Sequence, residues 1–250
     1  MAITIKSARE IELMREAGKR LAHVHQELEA MIAPGISTWE IDAKGEKLIR
    51  DCGCIPNFLH YNGYPASICV SVNDEVVHGI PRKDRYLKEG DIVSLDAGLI
   101  YKGYHSDAAR THAVGKVSTE AQKLMDVTKQ SFFEGIKMAK EGQHLHDISR
   151  AIEEYVTPYG YGIVRDLVGH GIGTALHEDP QIPNYAQKRR GVRLQAGMTL
   201  AIEPMINAGT WQVRFLRDGW TVVTKDGSLS AHYENTILVT DGEPEILTLY

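Results

Sequence analysis

LKEGDIVSLD (residues 87–96) and LQAGMTLAIE (residues 194–203) are two segments of one design. Each opens on a leucine, passes a glycine (Gly90, Gly197), enters a branched, strand-like run and closes on an acid, Asp96 or Glu203. They lie 107 residues apart, and the same offset relates Gly35 to Gly142 and Ile41 to Ile148. The surrounding elements repeat in the same order. Ser7 with Glu10 reads as a capping box opening a helix whose face is Ile11, Met14, Leu21, Leu28 and Met31, until Pro34-Gly35 stops it. Ser37 with Glu40 opens a shorter helix ending near Gly53. In the second half a helix from about Thr119 to Lys140, a break at Gly142 and a shorter helix from about Asp147 to Val156 follow the same plan. Strand-like stretches fall at Ser67–Val72, Asp91–Leu95, Met198–Ile202 and His232–Val239. An offset that recurs in order predicts two related α/β halves, roughly residues 1–110 and 111–250, with a site between them.

Composition narrows the class. The chain of 250 residues is 43% hydrophobic and 24% charged, ordinary globular values that exclude wholesale disorder and fibrous repeats. No apolar run approaches the roughly 18 residues of a membrane span, and Met1–Lys6 lacks the order of a secretory signal, so a soluble, cytoplasmic chain is expected. Three cysteines, Cys52, Cys54 and Cys69, are too few for a disulfide framework and read as free thiols. A net charge of −5 argues against a direct nucleic-acid function, and the basic cluster Lys188, Arg189, Arg190 and Arg193 reads as a solvated loop.

Carboxylates stand where a core should be. Asp96 follows Ile92-Val93-Ser94-Leu95, and Asp107 follows Tyr104-His105-Ser106 across a turn. With Tyr101-Lys102 as a two-residue loop, Asp96 and Asp107 are predicted to face each other across a hairpin. Two ionised carboxylates so placed need a cation or a shared proton, although taken alone a solvent-facing pair of hairpin acids fits equally. Glu203 ends the run Leu200-Ala201-Ile202, and Glu234 opens Asn235-Thr236-Ile237-Leu238-Val239. His170 sits in Gly169-His170-Gly171-Ile172-Gly173, where absent side chains permit unusual backbone angles and close approach. One imidazole with four carboxylates forms a hard, oxygen-rich donor set able to hold two divalent ions about 3.5–4 Å apart and acidify a water between them.

Asp96, Asp107, His170, Glu203 and Glu234, together with His78 in Val77-His78-Gly79-Ile80-Pro81 and His177 in Ala175-Leu176-His177-Glu178, resemble the methionine aminopeptidases over nearly the whole chain. The 31 residues from Glu203 to Glu234 resemble type I, since type II carries a long insertion there, and no zinc-finger extension precedes the first helix, as in the minimal bacterial form. The resemblance implies a pseudo-two-fold "pita-bread" fold acting as one catalytic domain over residues 1–250. It implies Asp96 as a ligand of one metal, Asp107 and Glu234 as bridges, and His170 and Glu203 on the other metal, with Glu203 also the general base. It implies His78 beside the scissile amide and His177 at the oxyanion, neither as a ligand. Tyr61, Tyr64, Cys69 and Trp220 resemble the methionine side-chain pocket, with Phe58, Asn62 and Leu176 at neighbouring positions that vary in the family.

Two divalent cations are expected as cofactors, among manganese, iron, cobalt and zinc, and Asn73 and Ser230 resemble positions that hold a monovalent cation in some members. Nascent polypeptide N-termini with a small second residue are the implied substrates. Transient ribosome contact and a monomeric state are also implied, and the solvated loop Lys188–Arg193 is a candidate docking segment that the resemblance itself does not support. The chain's own Met1-Ala2 is then a candidate substrate. Prolidases and X-Pro aminopeptidases share the five-ligand arrangement but carry a large N-terminal domain, and a non-catalytic binding module usually loses ligands that are all retained here.

Overall fold

The computed structural model describes residues 3–249; Met1-Ala2 lies outside them. Both predicted capping boxes form. Ser7 starts α1 (Ala8–Glu29) and Ser37 starts α2 (Thr38–Asp51), each seryl oxygen accepting from the backbone N–H three residues on. The second half places α3 at Thr119–Ile136 and α4 at Leu145–Val156. Thus α3 stops short of Lys140, because Lys140 pairs with Thr240 and the Glu141 N–H donates to the Thr240 carbonyl at 3.0 Å, which pulls the chain out of helical register. By contrast α4 starts earlier than Asp147, whose carboxylate accepts from the His144 N–H at 3.0 Å and closes the helix start.

The strands are β1 (Ile55–Pro56), β2 (Ile68–Val72), β3 (Glu75–Val77), β4 (Ile92–Tyr101) and β5 (Tyr104–Ala113) in the first half. The second half supplies β6 (Gly162–Ile163), β7 (Gly169–Gly171), β8 (Glu178–Ile182), β9 (Thr199–Ile202) and β10 (Met205–Asn207), then β11 (Val213–Phe215), β12 (Val222–Thr224), β13 (Ser230–His232), β14 (Glu234–Leu238) and β15 (Glu245–Ile246). One antiparallel sheet runs β1-β4-β5-β14-β9-β7-β8, with β2 also on β4 and β15 on β14. The halves meet at β5–β14, and the order is symmetric about that seam: β4 with β2 flanks one side, β9 with β7 the other.

The 107-residue offset holds at the level of individual bonds. The Gly35 N–H donates to Leu87 O (2.8 Å) and the Gly142 N–H to Leu194 O (3.0 Å), while Leu87 donates to Ile36 O and Leu194 to Gln143 O, both at 2.8 Å. Gly35 and Gly142 have φ of +94° and +85°, and Gly90 and Gly197 both have +93°, left-handed turns that glycine adopts without steric penalty. Helices α2 and α4 themselves start 107 residues apart.

Each helix pair covers its own part of the sheet. Leu21, Leu28, Ile41 and Ile49 pack on Val93, Leu95 and Leu99, and Leu124, Phe132, Ile148 and Ile152 pack on Leu200, Ile202 and Ile237. Burying each such side chain contributes roughly 1.5–3 kcal/mol. Because strand side chains alternate, these residues turn their neighbours Asp96 and Glu203 to the opposite face, and that parity creates the site.

Three further sequence expectations are corrected. The β4–β5 loop is Lys102-Gly103, not Tyr101-Lys102: φ of +48° and +86° make the tight turn for which Gly103 is the better second residue. Asp96 therefore faces Ala109 and Asp107 faces Gly98. The slip is by two, so both acids keep their face but stand diagonally rather than opposite. The expected strand His232–Val239 is two strands broken at Tyr233, whose N–H leaves the ladder for Pro204 O (3.2 Å). Gly169 and Gly171 serve close approach only, since a Cβ would lie 2.4 Å from Ala201 O and 2.2 Å from Asp179 O, and neither has positive φ.

Candidate active site

Five adjacent strands each offer one donor to the same face: Asp96 from β4, Asp107 from β5, Glu234 from the start of β14, Glu203 from the end of β9 and His170 from β7. Donor atoms of Asp107, His170 and Glu234 lie within 4.8 Å of one another. His170 Nε2 is 3.6 Å from Glu203 Oε1 and 4.0 Å from Asp107 Oδ2. The His170 Nδ1–H donates to the Gly171 carbonyl at 2.9 Å, which assigns the free lone pair to Nε2, facing the acids. Asp96 Oδ1, Asp107 Oδ1 and Glu234 Oε1 are buried without a hydrogen-bond partner. Buried carboxylate oxygens left unpaired are what a cation would satisfy, so the residues fit a metal centre.

Burial and mutual repulsion set the protonation. Burial pushes Asp96 up to about 7. Asp107, Glu203 and Glu234 are also held well above the carboxylate range, by burial first and then by the charges of neighbouring acids. Burial drives the imidazoles the other way, His170 to about 3 and His78 to about 4 with His177 adding to both, and His177 itself down.

A cavity of about 210 Å³ opens onto these donors. Its wall brings together Tyr61, Tyr64, Cys69 and Trp220 with Phe58, Asn62 and Leu176. Tyr64 meets Trp220 edge-on at 5.2 Å between centroids and anchors its hydroxyl on Gly79 O at 2.8 Å. His78 lies edge-on to Trp220 at 6.4 Å, on a backbone held at φ +59°, a strained angle for a non-glycine residue that the fold maintains at this rim. His177 packs on His170 (4.3 Å between centroids), and its Nδ1 is 2.8 Å from the Tyr61 hydroxyl. With the hydroxyl donating, the His177 proton sits on Nε2. Glu178, next to it, is locked by the buried Lys6 ammonium at 2.6 Å.

A larger cavity of about 350 Å³, lined by Arg110, His112, Lys129 and Tyr233 among others, lacks the converging carboxylates, and size does not make it the centre of the chemistry. The Ser230 N–H donates to the Asn73 carbonyl at 2.9 Å. In the basic cluster Arg190 reaches Asp147 at 2.7 Å. Cys52, Cys54 and Cys69 are free thiols. No helix among the described residues is long and apolar enough to cross a membrane.

Sequence reasoning missed His232. It is buried, with Nε2 3.8 Å from both Glu203 Oε2 and Glu234 Oε2. The available signal was its place two residues before Glu234, the spacing that returns side chains to one face of a strand.

Residues 12–241 match the model of metallopeptidase family M24. Over 247 residues the chain is 54% identical to the methionine aminopeptidase of Clostridium acetobutylicum, covering 99% of each. The crystal structure of methionine aminopeptidase from Thermotoga maritima superposes with a TM-score of 0.97 at 47% identity, covering 100% of both chains. Prolidase from Pyrococcus furiosus, at 24% identity and a TM-score of 0.78 over 98% of this chain and 65% of that one, shares the fold.

Proposed function

The chain belongs to metallopeptidase family M24, among the type I methionine aminopeptidases with the pita-bread fold, and from that premise we propose how its own residues do the work. It is a metal-dependent hydrolase that removes N-terminal methionine. The observation that carries the residue assignment is the convergence of one donor from each of five neighbouring strands, with unpaired carboxylate oxygens, on the wall of an aromatic cavity.

In this reading Asp96, Asp107, His170, Glu203 and Glu234 hold two divalent ions, of manganese, iron, cobalt or zinc according to availability, since an oxygen-rich set with one imidazole accepts each. When bound, the ions neutralise the acids and acidify a water at the centre. The Glu203 carboxylate would act as general base, accepting the proton of the attacking water. The His177 Nε2–H, set by Tyr61, donates to the scissile carbonyl oxygen as charge builds on it. His78, held at the rim against Trp220, would hydrogen-bond the scissile amide and help transfer to the departing amine the proton that Glu203 took up, so that both groups return to their starting state. Tyr61, Tyr64, Cys69 and Trp220 enclose the methionine side chain, whose thioether packs on aromatic edges.

The same reading takes residues 1–250 as one catalytic domain, because a single sheet runs through both halves, and a monomer working in the cytoplasm on nascent chains in passing contact with the ribosome. Lys188–Arg193 is the proposed docking loop, and Asn73 with Ser230 the proposed monovalent-cation position. Steady-state hydrolysis of Met-Ala-Ser, Met-Leu-Ser and Ala-Pro peptides by ion-reconstituted protein tests it. An enclosed cavity discriminates by about 1–3 kcal/mol per methylene, so kcat/KM for Met-Ala-Ser is expected to exceed that for Met-Leu-Ser at least about tenfold. Equal rates on the two would remove the enclosed pocket, and comparable cleavage of Ala-Pro peptides would transfer the activity to the proline-directed class.

A further inference from the structure

Of the four imidazoles grouped around the acids, three have roles in the reading above and His232 has none. Its main chain is fixed: the N–H donates to Thr111 Oγ1 at 2.9 Å, the same hydroxyl donates back to the His232 carbonyl at 2.9 Å, and Met205 pairs with it across β10–β13. The residue is 1% exposed and its ring also borders the larger cavity beside Arg110 and Tyr233. Neither ring nitrogen has a hydrogen-bond partner, an expensive state for a buried polar group.

Nε2 stands 3.8 Å from one oxygen of Glu203 and 3.8 Å from one oxygen of Glu234. That is just beyond hydrogen-bond length, so a small swing of either carboxylate closes a bond. Two roles fit this placement, a metal ligand through the Nε2 lone pair or an N–H donor to the acids. His170 has the ligand arrangement, with its Nδ1–H committed to the Gly171 carbonyl. His232 Nδ1 has no such acceptor, and two acidic oxygens in front of Nε2 favour a proton there over a lone pair. We propose that His232 is a positioning residue of the metal centre, its Nε2–H shared between the outer oxygens of Glu203 and Glu234 and fixing how both carboxylates present their inner oxygens. The inference rests on the assignment of those two glutamates as ligands.

The test is calorimetric and spectroscopic titration of the chelated full chain with cobalt(II), reading the dissociation constant and the visible absorption band. Loss of a group orienting the ligands typically weakens metal binding about 10–100-fold, and that weakening, with a shifted band, is expected for His232→Ala. His232→Gln keeps an N–H donor and is expected to restore parental affinity and band. Parental binding by His232→Ala would overturn the proposal. So would a glutamine variant as impaired as the alanine one, which would make the ring a direct ligand. Should His232→Ala fail to fold, the glutamine variant decides by itself: parental affinity and band support the donor role, and a weakened, shifted centre rejects it. His170→Ala, measured alongside, separates the levels: if it binds cobalt normally the metal centre itself is misassigned, whereas normal binding by His232→Ala alone rejects only the role of His232.

Discussion

Four carboxyl groups and four imidazoles cluster at one site, from buried His232 to exposed His177, and their chemistry divides by which atom each leaves free. His170 spends Nδ1 on a backbone carbonyl and points Nε2 at Glu203 and Asp107, whereas His177 spends Nδ1 on a tyrosine and His78 is held by its backbone at the aromatic rim. The division predicts opposite phenotypes. His170→Ala is expected to lose metal affinity first, seen by calorimetry. His78→Ala and His177→Ala are expected to keep the ions while kcat falls, since removing one donor to a developing charge costs about 2.7–4 kcal/mol in the transition state. Glu203→Gln combines both effects, and its rate loss should be at least the roughly 10²–10⁴-fold of a general base. Anomalous diffraction that found an empty metal position in the His78 or His177 variant would collapse the distinction between ligands and helpers.

The elements were legible in the sequence where chemistry is local. Capping boxes fixed the starts of α1 and α2, and the 107-residue offset predicted a duplication that the structure repeats down to single hydrogen bonds at Gly35 and Gly142. Boundaries failed where tertiary pairing overrode local signals, as at Lys140, and at Tyr233, whose N–H turns to Pro204. The hairpin slip at Lys102-Gly103 left both acids on one face because strand parity survives a shift of two, whereas Glu203 and Glu234 stood out as acids abutting apolar strands and His170 by its flanking glycines. His232 was passed over although the strand expected over His232–Val239 already put it on the face of Glu234, because a single histidine in a strand-like run carries no chemical signal of its own. The duplication makes its own prediction. Gly35 and Gly142 have open space where a Cβ would go, so Gly35→Ala and Gly142→Ala meet only the left-handed backbone penalty. Urea denaturation should show similar losses in both, about 1–2 kcal/mol. A large loss at one and none at the other would mean that the two turns carry different strain despite their shared geometry.

Across the whole molecule the two halves are joined where β5 meets β14, and Arg110 secures that seam by donating to the Glu234 carbonyl and to Asn235 Oδ1. The seam carries the buried acids, so folding and metal binding are coupled through protons. A carboxyl with a raised native pKa holds its proton where the unfolded chain has released it, and stability then falls as pH rises. Buried His78, His170 and His232, pushed down to about 4, 3 and 3, act in the opposite sense, but only below the unfolded histidine value near 6.5. Between about pH 4 and 6.5 the two sets therefore oppose each other, and above it the acids act alone. Asp96, at about 7, contributes mostly up to that pH, and Asp107, Glu203 and Glu234, raised well above the carboxylate range by burial and by one another, act in the same direction. The chelated protein should lose stability from pH 6.5 to 8, by up to about 1.4 kcal/mol per pH unit for each acid still protonated. Saturation with a divalent ion should flatten that slope, because the ion holds the same carboxylates ionised in the native state. Thermal melts of chelated and metal-loaded protein across that range decide the matter. A chelated protein whose stability is level or rises with pH would mean that the acids are already ionised without metal, and that the fold rather than the ion bears their repulsion.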